Sequence, residues 1–186
     1  MRLRGPNTGE RYTANMPTRS GTLKAREFLF YTEDLALAAL PDHLPRPERK
    51  VMWTILQLHF GNPDVHFELQ PQVARRVVEL GLHFEGPVEA NDLWTAHISA
   101  HAGDILCALG PEWELEEWTT SWRRLHRTFR FEQLTAELGR TVAEEMAGAI
   151  VALHPVIASG PETTGLSRAA AAAPAKGRDR RRYARR

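Results

Sequence analysis

The clearest structural pattern in this chain is found in two alternating stretches, Val65-His66-Phe67-Glu68-Leu69-Gln70 and Val78-Glu79-Leu80-Gly81-Leu82-His83-Phe84-Glu85. Apolar and polar residues take turns in both, which is the period of a β-strand with one buried face. The link from Pro71 to Arg76 is short enough for a hairpin, and Gly86-Pro87 ends the second stretch. We therefore predict two antiparallel strands whose apolar side chains face a core.

The other face of this hairpin carries the polar residues of both stretches. They are His66, Glu68, Glu79, His83 and Glu85, with Gln70 beside them. We expect a register that sets His66 opposite His83 and Glu68 opposite Gly81, where the missing side chain leaves a gap for a ligand or another backbone. Histidines and carboxylates are metal ligands and general acids or bases, with His66 and His83 the candidate ligands. The ordinary solvent-exposed face of an antiparallel sheet has the same composition, and the alternation favours that interpretation.

Apolar residues at helical spacing surround the hairpin. They predict helices over 24–40, 47–60, 89–109 and 133–153. Residues 113–130 alternate in two short runs, which indicates two strands around Thr119-Thr120-Ser121; a helix with Trp118 and Trp122 one turn apart stays open. The predicted order αα-ββ-α-ββ-α gives an α+β fold, an antiparallel sheet of about four strands with helices packed on one face as a two-layer sandwich.

The net charge of +1 conceals a segregation along the chain. Residues 1–21 carry a net +3, residues 22–160 hold 12 basic and 20 acidic side chains for a net −8, and residues 161–186 carry a net +6. Both ends are poor in large apolar residues. We predict a disordered basic N-terminal segment over 1–21, a single α+β domain over 22–160 and a disordered Ala/Arg-rich tail over 161–186.

The cysteine content and the lack of apolar segments predict a cytoplasmic protein. The single cysteine, Cys107, excludes an intramolecular disulfide and a cysteine metal cluster, and we expect it to be a small core hydrophobe. No apolar segment follows the N-terminal charges, and no run approaches the ~18 apolar residues of a transmembrane helix. Arginine far outnumbers lysine, which we interpret as a bacterial coding bias.

A basic-aromatic stretch is a second candidate surface. Its members are Trp118, Trp122, Arg123, Arg124, His126 and Arg127. Aromatic stacking with arginine is how single-stranded nucleic acid is held, but arginines paired to Glu114, Glu116 and Glu117 fit the acidic surroundings better. The tail could bind anions weakly and without sequence preference through Arg180, Arg181, Arg182, Arg185 and Arg186.

Two further pairs have structural interpretations. His97 and His101 are four residues apart on a predicted helix, which is a metal-ligand spacing, but the sequence offers no third ligand. We expect them to be partly buried structural histidines. Trp53 and Trp94 are expected to pack in the core.

Residues 65–155 resemble uncharacterised bacterial domains of unknown function. The resemblance is carried by Val65-His66-Phe67-Glu68, by the stretch from Val78 to Gly86, by Gly110-Pro111-Glu112-Trp113-Glu114-Leu115-Glu116 and by the closing helix. Some similar domains are attached to restriction-endonuclease-like modules, which implies a non-catalytic accessory role near nucleic acid. The resemblance lends no site residues.

These observations favour a soluble bacterial binding or regulatory protein that acts through the polar face of its sheet on a protein partner or on itself. The alternatives are a metal-assisted hydrolase centred on the His/Glu residues of that face and a nucleic-acid accessory protein that uses the arginine-rich ends. The sequence contains no glycine-rich phosphate loop, G-x-S-x-G or Rossmann fingerprint. We predict no cofactor, leave a divalent metal at His66 and His83 open, and expect no membrane partner.

Overall fold

The computed structural model describes residues 21–163, which form four α-helices and six β-strands. The helices are α1 (Ala25–Ala39), α2 (Val88–Ala100), α3 (Ala102–Leu109) and α4 (Ala136–Ala158). The strands are β1 (Glu48–Met52), β2 (Ile55–His59), β3 (Val65–Gln72), β4 (Val77–Phe84), β5 (Glu114–Glu117) and β6 (Arg123–Arg130). The predictions for 1–20 and for 164–186 lie outside the described residues.

All six strands belong to one antiparallel sheet with the order β1-β2-β3-β4-β6-β5. The predicted α+β class is confirmed, as are the strands on either side of Thr119-Thr120-Ser121. The sheet has six strands rather than about four, because β1 and β2 add a second hairpin to its edge. Strands β3 and β4 are therefore interior strands with a partner on each side.

The predicted helix over 47–60 is wrong, because this segment forms the β1–β2 hairpin. Val51, Ile55 and Leu58 fit a helical spacing, but Leu56-Gln57-Leu58-His59-Phe60 also alternates, and pairing with β3 favours the strand. The backbone turns at Trp53, which has a φ of 55°. Trp53 is 88% exposed instead of lying in the core, since the turn places it at the tip of the hairpin.

The predicted helix over 89–109 is two helices that meet at His101. The backbone N–H of His101 donates to the carbonyl of Ile98 at 3.0 Å, three residues back, so the chain tightens and changes direction there. The short helix α3 buries Ile105 and leaves Cys107 exposed, which corrects the expectation that this cysteine packs in the core.

The apolar face of the sheet forms the core together with the helices. Every apolar residue of the two alternating stretches is at most 4% exposed, as the alternation predicted. Phe28 and Leu29 of α1 and Met146 and Ile150 of α4 complete this core from the helical layer. Burial of this apolar surface is the main term that stabilises the fold.

Helix α4 is long and apolar enough to cross a membrane by length and composition alone, with a mean hydropathy of 1.3 in its most apolar window. Nine of its residues are buried within the described part of the chain. A core helix that is apolar on most sides has the same composition, so this observation is weak evidence for a membrane span.

Candidate metal centre

Strands β3 and β4 bring four polar side chains together on the polar face of the sheet. Their register pairs His66 with His83 and Glu68 with Gly81, as predicted from the alternation. Glu85 follows β4 directly. One ligand atom from each of His66, Glu68, His83 and Glu85 lies within 4.8 Å of the others, and we call these four residues the His/Glu cluster.

The His/Glu cluster is buried, which corrects the prediction that this face is solvent-exposed. His66, Glu68 and His83 are 2%, 5% and 0% exposed, and Glu85 is partly exposed. The polar side chains of β2 and β6 flank the cluster, because β3 and β4 are interior strands. Trp118 lies beside His83 with ring centroids 5.3 Å apart, so the turn between β5 and β6 adds an aromatic cover.

His66 presents an unpaired nitrogen to the cluster. Its Nδ1 lies 2.9 Å from the backbone oxygen of Pro63. Because a carbonyl oxygen only accepts, we assign the proton to Nδ1. The other nitrogen, Nε2, is buried, has no hydrogen-bond partner within residues 21–163, and lies 3.6 Å from Oε2 of Glu68 and 4.0 Å from Oε2 of Glu85. Metal-ligating histidines show this arrangement, with one nitrogen fixed by a carbonyl and the other free to coordinate.

His83 faces carboxylates with both ring nitrogens. Its Nδ1 lies 3.5 Å from Oε1 of Glu85, and its Nε2 lies 3.4 Å from Oε1 of Glu79. Burial lowers the pKa of His83, but the carboxylates of Glu79 and Glu85 outweigh that effect and raise the pKa to about 9. With no metal ion bound, His83 is therefore an imidazolium at neutral pH and offsets part of the buried negative charge.

Glu79 is buried on the same face but is held by Arg124. The guanidinium of Arg124 donates to Oε1 of Glu79 and, from Nε, to Oε1 of Glu116 at 2.8 Å. Gln72 donates to the second carboxylate oxygen of Glu79 at 2.7 Å. Burial raises the pKa of Glu79, but His83 and Arg124 outweigh it and lower the pKa to about 2. Glu79 is an ionised partner of Arg124 and stands beside the His/Glu cluster.

Glu68 is the most enclosed carboxylate of the His/Glu cluster. Gln57 on β2 donates to its Oε2 at 3.0 Å. Burial raises the pKa of Glu68, and contacts with His66 and His83 outweigh that effect and lower it. Sequence reasoning missed Gln57 because 47–60 was predicted to be a helix. The alternation of residues 56–60 is the signal that could have located it.

Gly81 does not leave the predicted gap for a ligand. A Cβ added there would lie 2.7 Å from Cβ of His126 and 3.2 Å from Nε2 of His83. The missing side chain lets β6 pack closely against the polar face. Burial and the nearby Arg124 lower the pKa of His126, so this histidine is neutral at pH 7.

The arginines of the basic-aromatic stretch are engaged by carboxylates. Arg123 contacts Oδ1 of Asp92 at 3.0 Å, and Arg127 contacts Oε1 of Glu145 at 2.8 Å. Arg124 lies on the polar face, as described above. Carboxylates offset the charges of these three arginines, which weighs against a nucleic-acid surface here.

The two tryptophans of that stretch lie at the turn between β5 and β6. The rings of Trp118 and Trp122 are tilted, with centroids 5.7 Å apart, and Arg124 lies 5.1 Å from the Trp118 ring. Trp118 is 38% exposed. Because it also contacts His83, Trp118 covers this fully buried member of the His/Glu cluster.

His97 and His101 are engaged by backbone carbonyls. Nε2 of His97 lies 2.9 Å from the oxygen of Val156, and Nδ1 of His101 lies 2.9 Å from the oxygen of His97. Each contact fixes one ring nitrogen within the helical layer. This geometry fits structural histidines.

Comparison with family models, with curated proteins and with solved structures found no match. The resemblance of residues 65–155 to uncharacterised bacterial domains therefore stays a prediction. The tail arginines lie outside the described residues, so their role in anion binding also stays a prediction.

Proposed function

We propose that this protein binds a divalent metal ion, with Zn²⁺ as the best fit, through the His/Glu cluster on its sheet. One observation carries the proposal. Four ligand atoms lie within 4.8 Å of one another, and one of them, Nε2 of His66, is buried without a hydrogen bond. Buried polar atoms are usually paired, and a cation held between this nitrogen and the two carboxylates would pair it.

The charges around the cluster support this assignment. The single positive charge of Arg124 offsets the buried carboxylate of Glu79, and the second carboxylate that it contacts, Glu116, is 41% exposed to solvent. Glu68 and Glu85 are then the two carboxylates left to a metal ion. A divalent ion bound by two neutral imidazoles and two carboxylates is electrically neutral as a unit. Neutrality matters because an uncompensated charge is costly in a buried site.

The distances also suit a small tetrahedral ion. Zinc holds nitrogen and oxygen ligands at about 2.0–2.2 Å, which separates neighbouring ligands by about 3.4 Å. The contacts of Nε2 of His66 with Glu68 and Glu85 are 3.6 and 4.0 Å, and Nδ1 of His83 lies 3.5 Å from Glu85. Small side-chain rotations would therefore complete the coordination. A mixed imidazole and carboxylate set suits zinc better than calcium or magnesium, which prefer oxygen alone.

The enclosure of the site favours a structural or regulatory metal over a catalytic one. Catalytic zinc sites keep one position open for water, whereas structural sites are closed by four protein ligands. Here the protein offers four ligands, and three of them are at most 5% exposed. This supports a binding or regulatory protein whose polar sheet face is set by metal, in preference to the metal-assisted hydrolase.

Isothermal titration calorimetry of the EDTA-treated full chain with ZnCl₂ tests the proposal. We expect one ion per chain and a saturable heat. The binding should be lost in His66→Ala and weakened at least about tenfold in Glu85→Gln, which removes one charge and keeps the side-chain shape. Zinc should also raise the unfolding temperature of the natural chain, because a ligand that binds only the folded state stabilises it.

The matched control is the double variant His97→Ala/His101→Ala, which removes two histidines at metal-ligand spacing outside the cluster. It should bind zinc as the natural chain does. Circular dichroism identifies any variant that fails to fold, and the partly exposed Glu85 provides the milder substitution. A natural chain that binds no zinc, or a His66→Ala variant that binds as tightly, would contradict the proposal.

A further inference from the structure

One end of the sheet combines exposed apolar side chains with arginines. The β2–β3 register, continued past Leu56 and Leu69, sets Trp53 level with Gln72. The β3–β4 and β4–β6 registers continue this row to Val77 and Arg130. The β1–β2 and β3–β4 turns therefore lie side by side, about two strand spacings or ~10 Å apart. We call this region, formed by Trp53, residues 73–76, Arg130 and the adjacent Arg26, the hairpin end.

The hairpin end exposes two large apolar side chains at its tips. Trp53 is 88% exposed, and Val73 is 54% exposed. Single exposed apolar residues are ordinary on protein surfaces, but these two lie in neighbouring turns at the same end of the sheet. An indole that is almost fully exposed contributes little to the stability of this fold. It could be buried only by contact with another molecule.

The backbone of both turns is held in a conformation that L-residues seldom adopt. Trp53 has a φ of 55° and Arg76 has a φ of 53°, and they are the two non-glycine residues with positive φ within 21–163. Glycine would adopt this conformation without strain. A bulky residue held there costs stability, and such strain concentrates at functional sites. Arg26 Nη1 donates to the oxygen of Trp53 at 3.1 Å and fixes the first turn.

The charge of the hairpin end is opposite to that of the body. Its basic side chains are Arg26, Arg75, Arg76 and Arg130, and within residues 21–163 none of them lies within ion-pair distance of a carboxylate. The acidic side chains nearest in sequence are Glu27, which accepts the backbone N–H of Lys24 in its own helix, and the exposed Glu132. Residues 22–160 as a whole carry a net −8, so these arginines form a local positive patch.

The chemistry of the two tips selects the partner. Tryptophan and arginine together suit either single-stranded nucleic acid or an anionic lipid surface. Val73 discriminates between them, because an aliphatic tip has no flat ring on which a base can stack but buries readily among acyl chains. Tryptophan prefers the interface between headgroups and acyl chains, and arginines bind anionic headgroups there.

We propose that the hairpin end docks onto anionic phospholipid membranes, with Trp53 and Val73 inserted at the interface and the four arginines bound to lipid phosphates. This partner departs from the expectation of no membrane partner. The contact is peripheral and does not require any helix to span the bilayer. It does not rest on the His/Glu cluster, whose nearest member on β3, Glu68, lies four residues, or about 13 Å of strand, from Gln72.

Co-sedimentation with large vesicles of three parts phosphatidylcholine to one part phosphatidylglycerol tests this proposal. The experiment uses the full chain with Arg180, Arg181, Arg182, Arg185 and Arg186 replaced by serine, so that tail charges do not mask the hairpin end. This protein should bind the anionic vesicles, and binding to phosphatidylcholine vesicles should be roughly tenfold weaker. Vesicles should also shift its tryptophan fluorescence to shorter wavelength.

Trp53→Gly is the decisive variant. It should reduce vesicle binding at least roughly tenfold and abolish the fluorescence shift, while its midpoint of thermal unfolding stays the same or rises because glycine relieves the strain. Val73→Ser and Arg76→Gly should each weaken binding by a smaller factor. Leu93→Ala removes an apolar side chain that is 47% exposed on α2, outside the hairpin end, and should bind as its parent does.

The opposite outcomes overturn the proposal. If the Trp53→Gly protein binds anionic vesicles as tightly as its parent, the hairpin end is not the docking surface. If the parent binds a single-stranded oligothymidylate, loses that binding in Trp53→Gly and ignores vesicles, the patch binds nucleic acid instead. If the parent binds neither probe, the proposal of an anionic docking surface is wrong.

Discussion

Leu80 and His83 lie on the same strand and on opposite faces of the sheet, and both are completely buried. Leu80 packs among apolar side chains of the sheet and the helices. His83 packs among carboxylates, an arginine and a tryptophan ring. The two faces of β4 therefore reach the same degree of burial with different interactions.

This difference indicates that the apolar face tolerates changes in pH and ions and that the polar face is sensitive to them. An apolar face needs only volume and shape, so its stability depends little on pH or ions. On a buried polar face every charge and hydrogen-bonding atom needs a partner. If one partner is removed, the remaining group stays buried without a hydrogen bond or counter-charge, and the protein loses the full desolvation energy of that group. Substitutions on the two faces test that contrast, and the greatest loss of stability is expected on the polar face.

Removal of Arg124 should have the largest effect. In Arg124→Met, the buried Glu79 keeps His83 but loses its guanidinium partner, and we expect a loss of about 3–5 kcal/mol in the free energy of unfolding measured with urea. The double variant Arg124→Met/Glu79→Gln removes both charges and should recover most of this loss. A loss below about 1 kcal/mol in the single variant would mean that the polar face is more hydrated than its burial indicates.

Truncation on the apolar face should cost slightly less. Leu80→Ala should lower the free energy of unfolding by about 3 kcal/mol, because it removes fully buried methyl groups and leaves a cavity. The loss should be the same with and without zinc and at pH 6 and pH 9. A loss that depends on metal would contradict the separation of the two faces.

Alkaline pH should reduce the contribution of the polar face to the free energy of unfolding and leave that of the apolar face unchanged. With EDTA present, His83 has a pKa of about 9 in the folded protein, so its stabilising charge is fully present below its unfolded pKa of 6.5 and is lost as pH rises through 9. The free energy of unfolding should fall over this interval by an amount on the order of 2 kcal/mol. Urea titrations at several pH values measure it.

The comparison with His83→Gln isolates the source of that loss. The variant should be less stable at pH 6 but should lack most of the alkaline decline, whereas Leu80→Ala should keep it. Glu79, with a pKa of about 2, affects stability at acidic pH instead. Its contribution to the free energy of unfolding is present above pH 4.5 and is lost toward pH 2. An unchanged alkaline decline in His83→Gln would assign it to another group.

The smallest effect is expected at the rim of the polar face. The side chain of Glu116 is 41% exposed, so Glu116→Gln should change the free energy of unfolding by less than about 1 kcal/mol even though it contacts Arg124. Zinc affinity should be unchanged, because Glu116 lies outside the His/Glu cluster. A change in zinc affinity of more than about tenfold would place Glu116 among the ligands.

Sequence alternation located the site but not its environment. The period of two placed His66 opposite His83 and put Glu68 and Glu85 on their face, and the register agrees. Alternation gives no information on what flanks a strand, so the polar face was expected to be exposed. Its burial depends on β2 and on the turn that carries Trp118, which meet β3 and β4 only in the folded sheet.

The error over 47–60 has a related cause. Val51, Ile55 and Leu58 satisfy a helical spacing, while residues 56–60 satisfy a strand spacing, and short segments often satisfy both. Pairing with β3 decides between them, and pairing is a tertiary interaction that the local sequence does not encode. The same error concealed Gln57 as a partner of Glu68 and Trp53 as an exposed tip.

X-ray absorption spectroscopy at the zinc edge of the loaded full chain identifies the metal ligands themselves. We expect two imidazole nitrogens and two carboxylate oxygens at about 2.0–2.2 Å and no sulfur. His66→Ala should lose one imidazole from the spectrum, and His97→Ala/His101→Ala should leave it unchanged. A spectrum with a sulfur ligand, or with no more than one imidazole in the natural chain, would contradict a metal centre on the polar face.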